Sequence, residues 1–161
     1  MSIEVKEASR VTEEEFVQFR DMVVRNGTEA FPATLKELPE RARYIAIYRR
    51  GGSLVGTGGI KVPRPEHRAK VFAGVRSSFD PKIFLHELGW MHIDDPNGEE
   101  GIGKAILDGL LDKVGSGGIY MVLRSDNAVL VSLLKSMKFK KTGVEIPSTR
   151  GNYFNVLFAR E

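Results

Sequence analysis

Gly98-Glu99-Glu100-Gly101-Ile102-Gly103-Lys104 sets glycines, bare backbone amides and a lysine at the head of an apolar-striped segment. Ile102, Ile106, Leu107, Leu110, Leu111 and Val114 recur at helical spacing as far as Gly115. Asn97, followed three residues later by Glu100, is a capping-box signature, so the spacing predicts a helix from near Gly98 to Gly115. Gly101 and Gly103 in its first turns would each cost roughly 1 kcal/mol relative to alanine, a cost accepted where something approaches the backbone closely. A helix N-terminus, with free N–H groups and the positive end of the dipole, suits phosphate. The stretch is therefore expected to cradle a phosphate; the alternative is a glycine-softened helix start packed on a strand. It also fits G-x-x-x-x-G-K, but Ala105 stands where a nucleotide-binding P-loop needs a hydroxyl for magnesium, which argues against that reading.

The other side chains able to do chemistry are fewer. Among the histidines, His86 and His92 lie six apart on what alternation makes one strand face. The pair His86-Glu87 lacks the second histidine four positions on that a zinc helix requires, so no metal site is expected. His92 reads as an alternative base or as a satisfied strand residue, and Trp90 as core with stacking on substrate as the alternative. There is no cysteine, hence no disulfide framework, no zinc-thiolate site and no thiol nucleophile.

The elements that position these groups can be taken in order. Ile3 to Ala8 alternates as a strand, and Thr12 to Glu15 is a capping box opening a helix that carries Phe16, Phe19 and Val23 inward until Gly27. Thr28 to Arg41 reads as a loop with a short helix broken before Pro39. Tyr44 to Tyr48 and Ser53 to Val62 form a hairpin about Gly51-Gly52. Pro63 to Pro81 is a long connection in which Glu66 to Val75 could form a helix with Ala69, Phe72 and Ala73 on one side. Ile83 to Ile93 is a strand leading into the glycine helix, and Ile119 to Leu123 a short buried strand parallel to it. Asn127 starts a helix with Leu130, Leu133, Leu134 and Met137 inward, and Phe139 to Ile146 and Tyr153 to Ala159 close as strands.

With 161 residues and 42% hydrophobic content the chain is expected to be one domain, residues 1–161. The start resembles no signal peptide and no apolar run reaches membrane-crossing length, so no membrane partner and a cytoplasmic location are expected. A net charge of +3, with 21 acidic residues spread among 24 basic ones, argues against nucleic acid as a partner. The clusters Arg64, His67, Arg68, Lys70 and Lys138, Lys140, Lys141 read as solvated faces, with contacts to a cofactor phosphate or an acidic partner as the alternative.

Gly101 and Gly103 resemble the glycine positions of [QR]-x-x-G-x-[GA], the pyrophosphate motif of the GNAT superfamily of acetyl-CoA-dependent N-acetyltransferases, with Gly98 in place of the leading Gln or Arg. Asn127 to Phe139 resembles the family's N-x-x-A-x-x-L-Y-x-K-x-G-F: Asn127, Leu133 and Phe139 match, while Leu130, Leu134 and Lys138 depart. The element order resembles the family over nearly the whole chain. The fold implied is α/β (α+β), a mixed central sheet of about seven strands flanked by helices.

The resemblance implies direct acetyl transfer from acetyl-CoA to a primary amine of a small molecule or protein. The cofactor would lie between the strands ending at Ile93 and Leu123, its pantetheine pairing with Met91, His92 and Ile93 and its pyrophosphate meeting amides from Gly98 and Glu99 through Gly101, Ile102, Gly103 and Lys104, with Asn127 nearby. Glu87 occupies a strand position that resembles that of the base glutamate in histone-type members, and by counting shares a face with Gly89, Met91 and Ile93; paired with a basic side chain it would be structural instead. A backbone N–H near Ile93 would stabilise the oxyanion. Leu134 replaces the tyrosine acid of the family, with Tyr120 and Tyr153 as conceivable substitutes. That departure leaves a weakly catalytic acyl-CoA-binding module as an alternative. A homodimer stays open.

Overall fold

The computed structural model describes residues 2–27, 29–94 and 101–161. In chain order the elements are β1 (Ser2–Glu7), α1 (Glu13–Asn26), α2 (Leu38–Arg41), β2 (Ala42–Arg50), β3 (Ser53–Lys61), α3 (Pro65–Gly74), β4 (His86–Ile93), α4 (Ile102–Val114), β5 (Ile119–Arg124), α5 (Ala128–Ser136), β6 (Lys140–Pro147) and β7 (Phe154–Arg160). The seven strands form a mixed sheet in the order β1-β2-β3-β4-β5-β7-β6, in which β4 and β5 are parallel. The chain divides into two compact units, one of Met1–Val62 with Gly89–Gly115 and the other of Pro63–Leu88 with Ser116–Glu161. Strand β4 contributes its first residues to the second unit and the rest to the first.

In the first unit, Thr12 and Glu15 form the expected reciprocal cap of α1: Glu15 N–H donates to Thr12 Oγ1 at 3.2 Å and Thr12 N–H donates to Glu15 Oε1 at 2.9 Å. Lys6 Nζ donates to the same carboxylate at 2.8 Å, tying β1 to the helix start. The inward stripe of α1, Phe16, Phe19 and Val23, joins Leu38, Ile45, Ile47 and Trp90 in one buried cluster. Gly51 and Gly52, both at positive φ (+56° and +82°), make the two-residue turn between β2 and β3. Helix α4 buries Ile102, Ile106, Leu107 and Leu110, side chains each worth about 1.5–3 kcal/mol on burial. It can come down on β3 because Gly58 has no side chain: a Cβ there would stand 2.6 Å from Ile106 Cγ2 and 2.7 Å from Met91 Sδ.

Two local expectations are corrected. A short 3₁₀ turn, Leu35–Glu37, does end ahead of Pro39, but Pro39 itself sits in the first turn of α2, where its missing N–H would have had no partner and its fixed φ suits the helix. In α3, Ala69 and Ala73 are exposed, and Phe72 with Val75 faces the core of the second unit beside Phe84, Tyr120, Leu157 and Ala159.

The second unit is built on β5, which pairs antiparallel with β7 from Ile119↔Arg160 to Arg124↔Asn155, and β7 pairs antiparallel with β6. Pairing of β4 with β5 is His86↔Ile119 and Glu87↔Tyr120. The β6 ladder is interrupted between Thr142 and Ile146, where Gly143 takes φ +72° and Val144 N–H donates to Val75 O at 2.7 Å. Asn127 opens α5, its Oδ1 accepting Leu130 N–H at 3.2 Å.

Candidate functional site

The glycine helix begins later than its sequence suggests. Helix α4 starts at Ile102, and Gly101 is its cap in the left-handed region (φ +99°, ψ −5°), so Gly101 ends the preceding segment and does not occupy the first turn. Ala105 N–H closes the first helical bond, onto Gly101 O at 2.8 Å. The N–H groups of Ile102, Gly103 and Lys104 precede that bond and are the ones a helix start leaves for an anion. Among the described residues a Cβ on Gly101 would meet nothing within 4 Å, so it is the φ of +99° that calls for glycine there. The side chain of Lys104 pairs along the helix with Asp108 at 2.6 Å. Gly98 and Glu99, with the Asn97/Glu100 capping box, lie outside the described residues.

Strand β4 is not a regular strand. Trp90 takes φ +54°, a conformation that costs a bulky L-residue about 1–3 kcal/mol and persists only when its surroundings over-determine it. The surroundings do so. Trp90 N–H donates to Glu29 Oε2 at 3.1 Å, its indole Nε1–H to Ala30 O at 3.1 Å, and its carbonyl accepts Thr57 Oγ1–H at 2.8 Å. Its fully buried ring packs edge-on to Phe19 and Phe31 (centroids 6.0 and 5.0 Å), and Lys61 Nζ stands 5.2 Å from its centroid.

The left-handed turn at Trp90 breaks the two-residue alternation, as a β-bulge does. The Cβ direction of Gly89 and the ring of Trp90 both turn to the Gly59/Lys61 side, Met91 turns to the opposite side against Gly58, and His92 returns beside Gly27. Counting by twos therefore fails across Trp90. The inferences that Glu87 shares a face with Met91 and Ile93, and that His86 and His92 share one, are corrected accordingly. Beyond Ile93, Asp94 N–H donates to Val55 O at 2.9 Å, and Arg25 Nη2 donates to the Asp94 carboxylate at 2.8 and 3.0 Å.

Around the bulge Glu29 gathers a charged cluster. Its Oε2 lies 3.6 Å from His92 Nε2 and its Oε1 3.9 Å from Lys61 Nζ. Burial pushes the Glu29 carboxyl up, but His92, the Lys61 ammonium and the Trp90 N–H together outweigh it and hold the group below the usual carboxylate range. Sequence reasoning missed Glu29 and Lys61, because neither stands in a motif and what unites them is the strained turn of β4.

In the second unit Glu87 is half-buried, and the Tyr120 hydroxyl donates to its Oε1 at 3.1 Å. Burial, then the Glu87 charge and the hydrogen bond to it, drive the Tyr120 phenol far above its ordinary value. Tyr120 is thereby held as a donor that orients Glu87 and is poorly suited to release its proton to a thiolate. Arg68 lowers that pKa in part; its Nη1 donates to Phe84 O at 2.9 Å, and its Nε is buried without a hydrogen-bond partner among the described residues. The expectation of a solvated Arg68 is thus corrected. Leu134 is fully buried, Tyr153 stacks on Arg124 (4.1 Å from guanidinium carbon to ring centroid), and His86 Nε2 lies 3.4 Å from Ser116 O.

No protein-family model matches the chain. Over 132 residues, 81% of this chain and 71% of the relative, it is 28% identical to the N-alpha-acetyltransferase RimI of Mycobacterium tuberculosis. Over 73 residues it is 32% identical to an uncharacterised protein of Mycobacterium leprae, of which it spans 20%. Arabidopsis thaliana NAA60 in complex with acetyl-CoA superposes with a TM-score of 0.67 over 99% of this chain and 98% of that one, at 12% identity. The fold is that of the GNAT N-acetyltransferases. The resemblance first carried by two short motifs thus holds across the GNAT architecture, including a mixed seven-stranded sheet flanked by helices. Among the described residues, no helix of this GNAT-fold chain is long and apolar enough to cross a membrane.

Proposed function

We propose that residues 1–161 act as an N-acetyltransferase that uses acetyl-CoA and a primary amine of a small molecule or protein. The observation that carries this reading is the left-handed Gly101, which caps α4 ahead of the Ile102, Gly103 and Lys104 amides that precede the first helical bond, in a chain of GNAT fold. The residues present suit the co-substrate: amides of Gly101, Ile102, Gly103 and Lys104 for pyrophosphate, the backbone of Met91, His92 and Ile93 for pantetheine, and Asn127 at the cap of α5 as a further contact. Gly98 and Glu99 belong to the same proposed cradle. Acetyl-CoA supplies an acyl group on a leaving thiol good enough that no protein acid is required.

Glu87 is the proposed base, taking the proton that an acceptor amine carries near neutral pH, with Tyr120 as its positioning partner. Since RimI is named an N-alpha-acetyltransferase, peptides with a free N-terminal amine are the first acceptors to test. The buried Leu134 at the position of the family's tyrosine supports one alternative, an acyl-CoA binder with little turnover.

The test is a thermal-shift titration with CoA, acetyl-CoA and ATP, followed by acetyl-transfer assays on an amine panel. Ligand at ~100 Kd adds about 2.7 kcal/mol, roughly 5–10 °C for a chain of this length. No shift with CoA or acetyl-CoA overturns the proposal; binding without transfer to any amine selects the alternative. Glu87→Gln is expected to lower turnover about 100-fold or more while leaving CoA affinity nearly unchanged.

A further inference from the structure

Glu29 lies in no motif, is not one of the residues expected to touch acetyl-CoA, and yet meets β4 at its one left-handed residue. Its Oε2 accepts Trp90 N–H at 3.1 Å, while Ala30, the next residue, accepts the indole N–H at 3.1 Å. One short segment after α1 thus holds Trp90 by both of its N–H groups. On its other flanks the same carboxylate faces Lys61 at 3.9 Å and His92 at 3.6 Å. An amide in a bulge loses its ladder partner, and a buried amide without one is costly; the Glu29 carboxylate supplies the missing acceptor. The register beyond Trp90 depends on this arrangement, since Gly89 and Trp90 take the same side where the chain turns and alternation resumes from Trp90 in the opposite phase, with Met91 against Gly58 and His92 beside Gly27.

We propose that Glu29 is a positioning residue whose carboxylate pins the Trp90 bulge through the Trp90 N–H and thereby sets the orientation of the Met91–Ile93 backbone that receives the pantetheine arm. The inference rests on the GNAT reading for its ligand, but not for its geometry. Lys61 and His92 flank the carboxylate at 3.9 and 3.6 Å, while the pin itself is the acceptor offered to the Trp90 N–H. Removing it leaves the phosphate-facing amides of α4 intact and misdirects the strand next to them.

Trp90 is the chain's sole tryptophan, so its indole ¹H–¹⁵N resonance and its fluorescence report the bulge without any ligand. The experiment compares full-length wild type, Glu29→Ala and Glu29→Gln by these two signals and by the Kd for CoA. Glu29→Ala should shift the indole resonance and weaken CoA binding about tenfold or more, a misplacement effect. Glu29→Gln, which keeps an oxygen for the Trp90 N–H, should restore the resonance and bring the Kd to within about threefold of wild type, the size of one altered hydrogen bond. A folded Glu29→Ala with the wild-type resonance and CoA affinity overturns the proposal, as does a Glu29→Gln no better than alanine. Should Glu29→Ala not fold, Glu29→Asp takes its place, its carboxylate one methylene short of the Trp90 N–H, and wild-type behaviour there overturns the proposal equally. If wild type itself does not bind CoA, the acetyltransferase reading fails, while the indole comparison still decides the role of Glu29 in the bulge.

Discussion

Replacing Gly101 by alanine separates two demands that glycine meets. At φ +99° the new Cβ is strained against the backbone, a cost of about 1–2 kcal/mol for an L-residue, partly offset by about 0.4–1 kcal/mol because alanine has less freedom to lose on folding. No steric contribution is added by the described residues, none of which lies within 4 Å of that Cβ. The net loss expected is therefore about 1 kcal/mol, or roughly 2–4 °C in Tm for a chain of this length. The functional effect should be larger, because the amides of Ile102 and Gly103 would turn with the cap. CoA affinity is expected to fall about tenfold or more, while pantetheine, which lacks the pyrophosphate, should lose nothing. Denaturation and calorimetric titration of the variant with both ligands measure the two effects separately. Unchanged stability would refute the left-handed cap, and a destabilised variant with wild-type CoA affinity would refute the cradle. Gly58→Ala is the control: its Cβ would press on Ile106 and Met91, costing about 1–3 kcal/mol by overpacking without the selective loss of CoA over pantetheine.

Thr12→Ala removes the acceptor for Glu15 N–H at the start of α1 and should cost about 1 kcal/mol in urea unfolding. Leu134→Tyr, which restores the family's residue by name, should lower stability by about 1–3 kcal/mol and leave turnover no higher, because the position is fully buried; a gain in turnover would show that the position faces the reaction. Acid should expose the Glu29 cluster. Because the folded-state carboxyl titrates below its ordinary value, its stabilisation is present above about pH 4.5 and is lost as pH falls through the folded value. The stability advantage of wild type over Glu29→Gln should shrink as pH falls below that range in Tm measurements, and an advantage that grows on acidification would contradict the assignment.

Much of the fold was legible because the signals were local. The Thr12/Glu15 cap, the Gly51-Gly52 turn, the cap at Asn127 and the stripes of α1 and α4 depend on residues within a few positions of one another, and each appears where the spacing places it. The candidate cradle was legible for the same reason, a glycine pattern at the head of an apolar helix, though its start moved to Ile102 because the conformation of Gly101 is a backbone choice that composition does not reveal. The rest was decided between elements distant in sequence. Whether Arg68 meets solvent or a carbonyl depends on where Phe84 lies, and the proton held on Tyr120 depends on Glu87 of a neighbouring strand. The turn at Trp90 depends on Glu29, Ala30, Thr57 and Lys61 arriving around it. Alternation can be counted along one strand, but a residue in a left-handed conformation resets the count, and only groups brought from elsewhere in the chain can hold it there.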